Sequence, residues 1–196
     1  MERGADARRV LNPMPMSSNE PSGDFRLQPF RGVLPTLGVD VFIADTARVI
    51  GDVHLGDGTS VWYGTVVRGD VFHIRVGARV NLQDLTVVHV TTGRHATLIE
   101  DDVTVGHRAI IHGATVRRGS LIGMGAIVMD GAEVGAESMV GAGALLTPGT
   151  IIPPGMLALG SPAKPVRPLS DAERSMMRVS AAHYFDIAAV YRGGQP

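Results

Sequence analysis

Cysteine is absent from the 196-residue chain. That excludes disulfides, thiolate metal sites and a cysteine nucleophile together. An excess of one charge is missing too: 18 Lys and Arg against 19 Asp and Glu leave a formal net charge of −1. Proteins that hold nucleic acid or an anionic membrane surface show a basic surplus, so neither partner is expected. No apolar run reaches the ~20 residues of a membrane-spanning helix. Nor does an apolar stretch of signal-peptide length follow Arg8 and Arg9, and Glu2 and Asp6 speak against a transit peptide. The expected location is the cytoplasm. Aromatic residues are scarce, at 5 %. What is plentiful is glycine, with 25 residues, and hydrophobic side chains, at 44 %. A core with so few rings must be filled by Val, Ile, Leu and Ala joined by tight turns. The length suits one domain of moderate size or two very small ones. Residues 1–24 show no apolar periodicity and are expected to form a disordered tail or one that wraps a neighbour, with Met14 and Met16 as alternative starts.

An aliphatic residue recurs every six positions at Val116, Ile122, Val128, Val134, Val140, Leu146 and Ile152. An earlier block runs in the same step through Ile43, Val49, Leu55, Val61 and Val67. Two shorter blocks lie between, Val76, Leu82, Val88 and then Ile99, Val105, Ile111. Small residues such as Ser120, Ala126, Ala132 and Ser138 follow four positions later. A step of six fits neither the helical period nor a hairpin sandwich. It fits a coil of short parallel strands, three hexads to each triangular turn. The pattern resembles the hexapeptide-repeat proteins, and the resemblance implies a mainly β chain wound as a left-handed parallel β-helix. The hexads predict about six turns, roughly 30 Å tall at ~4.8 Å per turn. The phase slips between Val67 and Val76, between Val88 and Ile99, and between Ile111 and Val116. The first two slips add residues and predict loops at corners. The β-helix unit is expected over 25–168, its coil ending near Gly160–Pro165 because proline cannot continue a ladder. Ser170, Asp171 and Glu173 then spell a capping box. A helix is predicted over 171–192, within a C-terminal unit 169–196. Its side made of Met177, Ala181, Tyr184, Ile187, Ala188 and Tyr191 should pack on the outside of the coil.

In such a coil the equivalent position three hexads later lies directly above. The face of Val67, Val88 and Ile111 therefore turns Arg68, His89 and His112 outward on three consecutive turns, with Ile50 below and Met129 above. The preceding face turns out Trp62, Gln83, Asp84 and His107, with Asp84 and His107 in one column. Two histidines stacked ~4.8 Å apart can share one metal ion, each bond being ~2.0–2.1 Å. His107 lies around a corner and cannot reach the same ion within its own chain. In a cyclic trimer one face of each subunit meets a different face of the next, so a neighbour's histidine could complete the site. Ile50, Met129 and Trp62 would line that interface. A lone surface histidine is ordinarily just solvated; three at aligned positions beside Arg68, Gln83 and Asp84 are harder to dismiss. Asp70 fits equally a charged corner. His54, His73, His95 and His183 fall outside the columns, with His73 and His95 as weaker candidates for contact with the ligands.

At these residues the sequence resembles the γ-class carbonic anhydrases, from about Gly38 to Tyr191. The motifs are Arg68-Gly69-Asp70, Asn81-Leu82-Gln83-Asp84, Val88-His89-Val90 and the run Gly106-His107 to His112-Gly113. The resemblance implies a homotrimer that hydrates CO2 reversibly to bicarbonate at metal sites between subunits. His89 and His112 would come from one subunit and His107 from the next. Arg68, Asp70, Gln83 and Asp84 match the family's polar residues around the metal and the interface. Tyr184 resembles the tyrosine that its C-terminal helix brings near the site. The metal would be zinc, with iron or cobalt also suited to three imidazoles. Three neutral ligands leave the ion its full charge, which lowers the pKa of a bound water from ~15.7 to ~7, and the hydroxide attacks CO2. Gln83 would orient the hydroxide or the CO2, and Arg68 would pair with Asp70 or Asp84. One departure stands out. Val71 takes the place of a glutamate in the prototype of the class, and residues 90–98 contain no carboxylate, so proton export is poorly served and activity should be low. Three alternatives share the coil: a metal-dependent thioesterase or other hydrolase on the same site, an acyl-CoA-dependent acyltransferase with one functional histidine and no metal, and a trimeric scaffold subunit with a weak or vestigial site.

Overall fold

In a computed structural model the protein is described from residue 24 to residue 193; the expected N-terminal tail, apart from Asp24, lies outside that range. Most hexads form a strand of two or three residues followed by a turn. The strands stack in parallel into three faces. One face carries Leu27–Gln28, the start of Arg48–Leu55, the start of Val66–Val76, then Val87–His89, Ile110–His112, Ile127–Val128 and Leu145–Leu146. The next runs from Thr36–Leu37 to Ile151–Ile152, and the third from Phe42–Ile43 to Met156–Gly160. Seven strands on each face give a parallel β-helix of about seven turns. That is one more than the hexads alone count, because the lowest turn does not keep the step of six: Leu27 and Leu37 stand ten residues apart.

The reason for the coil is visible in its axis. Val49, Val67, Val88, Ile111, Val128 and Leu146 stack in one inward column, each fully buried, and each such side chain contributes roughly 1.5–3 kcal/mol by leaving water. At the corners, hydroxyls satisfy carbonyls of the turn above. Thr65 donates to the Gln83 carbonyl, Ser120 to that of Gly135 and Ser138 to that of Pro153, each at 2.8 Å.

Two expectations are corrected. The extra residues after Val67 do not form a loop: Val66–Val76 is one strand, and residues 70–73 bulge opposite the single residue Asp52. The parallel coil ends at Met156–Gly160, near the expected place, but the prolines beyond it do not end strand pairing. The chain turns back at Ser161-Pro162, and Ala163–Pro168 pairs antiparallel with Met156–Gly160. It lies at the edge of its sheet, where proline is tolerated. The insertion after Val88 is a loop, closed by paired Thr91 and His95.

The three faces differ outside. The third is covered by the helix Asp171–Tyr191, whose N-terminus has the capping box of Ser170 and Glu173. Met177 and Ala188 are buried there, and Tyr184 and Tyr191 stack edge-on against Trp62, their ring centroids 5.5 and 5.4 Å from its own. Trp62 is therefore only 5 % exposed, roofed by its own chain rather than turned towards a neighbour. The second face is charged. Arg117 bridges Glu100 and Glu133 at 2.8 Å each, and Arg75 pairs with Asp52. Among the described residues nothing packs over the histidine face, and one of its outward columns is apolar above Arg48. Val66, Val87, Ile110, Ile127 and Leu145 point outward from successive turns, each partly exposed. Among the described residues no helix is long and apolar enough to cross a membrane.

Candidate metal centre

The parallel register that stacks Val88 under Ile111 also sets His89 directly opposite His112. Their rings lie 5.0 Å apart, and His89 Nδ1 faces His112 Nε2 at 3.1 Å. The outer nitrogen of each ring meets a carboxylate. His89 Nε2 lies 3.1 Å from Asp70 Oδ1, and His112 Nδ1 lies 2.7 Å from Asp130 Oδ1. The four side chains thus form a line, Asp70, His89, His112, Asp130. When both outer nitrogens donate to their carboxylates, two lone pairs face each other across the middle. Two nitrogens on one tetrahedral ion with bonds of ~2.0–2.1 Å lie about 3.3 Å apart, so the gap suits a shared divalent cation.

His107 sits at the corner that joins the helix-covered face to the histidine face. Its Nδ1 lies 2.8 Å from Asp84 Oδ2 one turn below, and its Nε2 lies 3.5 Å from the Tyr184 hydroxyl. Among the described residues, no three His, Asp or Glu side chains of one chain converge on a common point. His107 is therefore held apart from the His89–His112 pair, as the corner geometry requires. All three imidazoles set one ring nitrogen on a carboxylate; the second nitrogens of His89 and His112 face each other, and that of His107 faces the Tyr184 hydroxyl.

The remaining residues of the expected site form a supporting frame. Arg68 pairs with Asp70. Gln83 is buried; its Oε1 accepts from the His107 backbone N–H at 3.2 Å, and its Nε2 donates to Asn81 Oδ1 at 3.1 Å. The amide thus fastens the His107 corner to the turn beneath it. Burial pushes the His89 imidazole down, towards the neutral form that can bind a metal, against the opposing pull of Asp70. Burial would raise Asp70, but the hydrogen bonds from Arg68 and His89 outweigh it and hold the carboxyl below its usual range. Asp130 behaves alike, with His112 and Thr91 as its donors. Burial, then the Asp84 charge, pushes the Tyr184 phenol up. Of the outlying histidines, His54 bonds Thr36 and His73 stacks on Phe72; His95 packs beside Gly113 and Gly131, near Asp130.

Asp130 is the residue that the columns did not reveal. The signal was present, since it directly follows Met129, the residue placed above His112. Thr97 was missed as well; its hydroxyl donates to the His89 carbonyl and accepts from Gly113 N–H, tying the two histidine strands to the loop.

The chain matches the hexapeptide repeat of succinyl-transferase over residues 97–130 and 120–148. It is 43 % identical over 169 residues to a carbonic anhydrase of Geobacillus kaustophilus, with 86 % of this chain and 92 % of that protein covered. To the protein YrdA of Escherichia coli it is 45 % identical over 165 residues, covering 81 % and 89 %. Among solved structures, a hexapeptide transferase family protein from Anaplasma phagocytophilum superposes with a TM-score of 0.82 at 43 % identity, covering 86 % and 99 %.

Proposed function

The chain belongs to the γ-class carbonic anhydrases, lyases built on the hexapeptide repeat, and from that premise we propose that it hydrates CO2 reversibly to bicarbonate at metal sites shared between the subunits of a homotrimer. The observation that carries this reading is the trio of carboxylate–histidine pairs, Asp70–His89, Asp84–His107 and Asp130–His112. One carboxylate beside one histidine is common on a surface. Three, each fixing one ring nitrogen on a carboxylate, match the way proteins orient metal ligands. When bound, a divalent ion supplies a Lewis acid that brings the pKa of water to ~7, so that it attacks CO2 at neutral pH. The protein's part is positional. His89 and His112 hold the ion from one subunit and His107 from the next. Gln83 and Asp84 fix the His107 corner, and Arg68 balances the Asp70 charge. Tyr184 borders the site from the helix. The histidine face supports the trimer, because among the described residues it carries outward apolar side chains on successive turns with no element packed over them.

The Anaplasma relative is called a transferase; an acyltransferase needs only one functional histidine and leaves the other two pairs without a purpose. Metal analysis of anaerobically purified protein followed by stopped-flow CO2 hydration separates the readings. Bound metal with hydration is the expected result. Metal without hydration moves the assignment to a hydrolase on the same site, and turnover of an acyl-CoA without metal moves it to a transferase.

A further inference from the structure

We infer that Asp130 is the positioning residue of His112: it accepts the imidazole Nδ1–H, and so keeps the Nε2 lone pair turned towards His89. The consequence for metal binding rests on the function proposed above; the tautomer itself does not.

Four features of the structure converge on this role. The contact is the shortest of the three carboxylate–histidine pairs, 2.7 Å against 2.8 and 3.1 Å. The carboxylate is clamped from its other side, where Oδ2 accepts from the Thr91 hydroxyl at 2.8 Å. Thr91 belongs to the loop inserted after Val88, closed by the Thr91 N–H to His95 carbonyl bond at 3.1 Å. The insertion that interrupts the six-residue step thus delivers a hydroxyl to the carboxylate. Finally, position 113 must be bare. Gly113 has a φ of +57°, and a Cβ there would collide with the Asp130 carboxylate and with His95. The glycine after His112 therefore serves both the turn and the approach of Asp130 to the ring.

A neutral imidazole carries one proton on either nitrogen, and the partner of one nitrogen decides which. A carboxylate can only accept, so it draws the proton to Nδ1 and leaves Nε2 as a stronger ligand. An amide of the same shape can also donate, which removes the preference. Asp130→Asn therefore alters the proton's position while nearly preserving volume.

The test uses the full chain labelled with 15N-histidine and stripped of metal by a chelator. Long-range 1H–15N correlation spectra at mildly alkaline pH report which nitrogen of His112 is protonated, and chelator competition reports zinc affinity. The wild type should show Nδ1–H. Asp130→Asn should shift the population towards Nε2–H and weaken zinc binding roughly 10–100-fold. Thr91→Val, which only unclamps the carboxylate, should do the same to a smaller extent, and it carries the test if Asp130→Asn does not fold. An Nε2–H tautomer in the wild type overturns the inference, as do variants that fold but leave tautomer and affinity unchanged. A wild type with the Nδ1–H tautomer that takes up no zinc sustains the role of Asp130 and overturns the metal-site proposal instead.

Discussion

His107 is the residue on which the proposed site turns. Its side chain is 40 % exposed, far more open than His89 at 17 %, which is what a group destined for a neighbour's site requires. Replacing it by alanine should therefore strip metal as completely as His89→Ala does. Elemental analysis of the purified variants checks this, and full metal content in His107→Ala would refute the assignment across subunits. Val71 supports a second prediction at this scale. It is 38 % exposed and next to Asp70, yet it has no proton to pass on. Turnover should then be limited by proton transfer, so that small buffers such as imidazole raise the hydration rate and Val71→Glu replaces part of that effect. A fast rate that ignores buffer concentration would show that another group, such as His73 or Tyr184, already serves. The three histidines could be read from the sequence because each falls at a fixed place within a hexad. Asp130 was overlooked although it directly follows Met129, because it lies at the corner beyond the strand, where the hexad columns do not say which side chains meet. Trp62 was placed at its hexad position correctly, but only the packing of the helix shows what covers it.

Among the elements, the helix Asp171–Tyr191 depends most on local chemistry. The Ser170 hydroxyl caps the Glu173 N–H, and the Glu173 carboxylate binds both the Ser170 N–H and Arg167. Ser170→Ala should cost about 1 kcal/mol, read as a lowered thermal midpoint at fixed protein concentration. Acid should act on the same cap. The Arg167 guanidinium, then the Ser170 donors, hold the Glu173 carboxyl down to about 2, against an ordinary 4.5. A depressed carboxyl contributes stability that is fully present above about pH 4.5 and is lost as the pH falls towards about 2. The cap should therefore weaken in that window in the wild type, read as a falling thermal midpoint, and Glu173→Gln should abolish this part of the pH dependence. The helix was legible from its capping box and its apolar side, and the coil from its inward column. The antiparallel strand Ala163–Pro168 was not legible, because proline excludes a central strand and says nothing against an edge. The strand Val66–Val76 was missed for a related reason: a step of six cannot distinguish a bulge from a loop.

For the whole molecule, the proposed site between subunits would make association and metal binding one event. Ile127→Glu places a charge on that face directly above Ile110 and alters no proposed ligand. It should yield a monomer by light scattering and release the metal, whereas wild-type protein should be a trimer. A wild-type monomer with full metal content would refute the shared site. The stacked turns carry a further consequence. Each turn touches only those above and below it, so order is passed along the axis from neighbour to neighbour. His89 and His112 lie on the fourth and fifth of the seven strands of their face, so transient opening that begins at either end must cross at least two whole turns before an imidazole moves. The backbone amides of Val88 and Ile111 should then exchange with deuterium only when the entire spiral comes apart, while those near Leu27 and Ile152 exchange by fraying. A coil of this kind holds its most demanding geometry where its own ends are least able to disturb it.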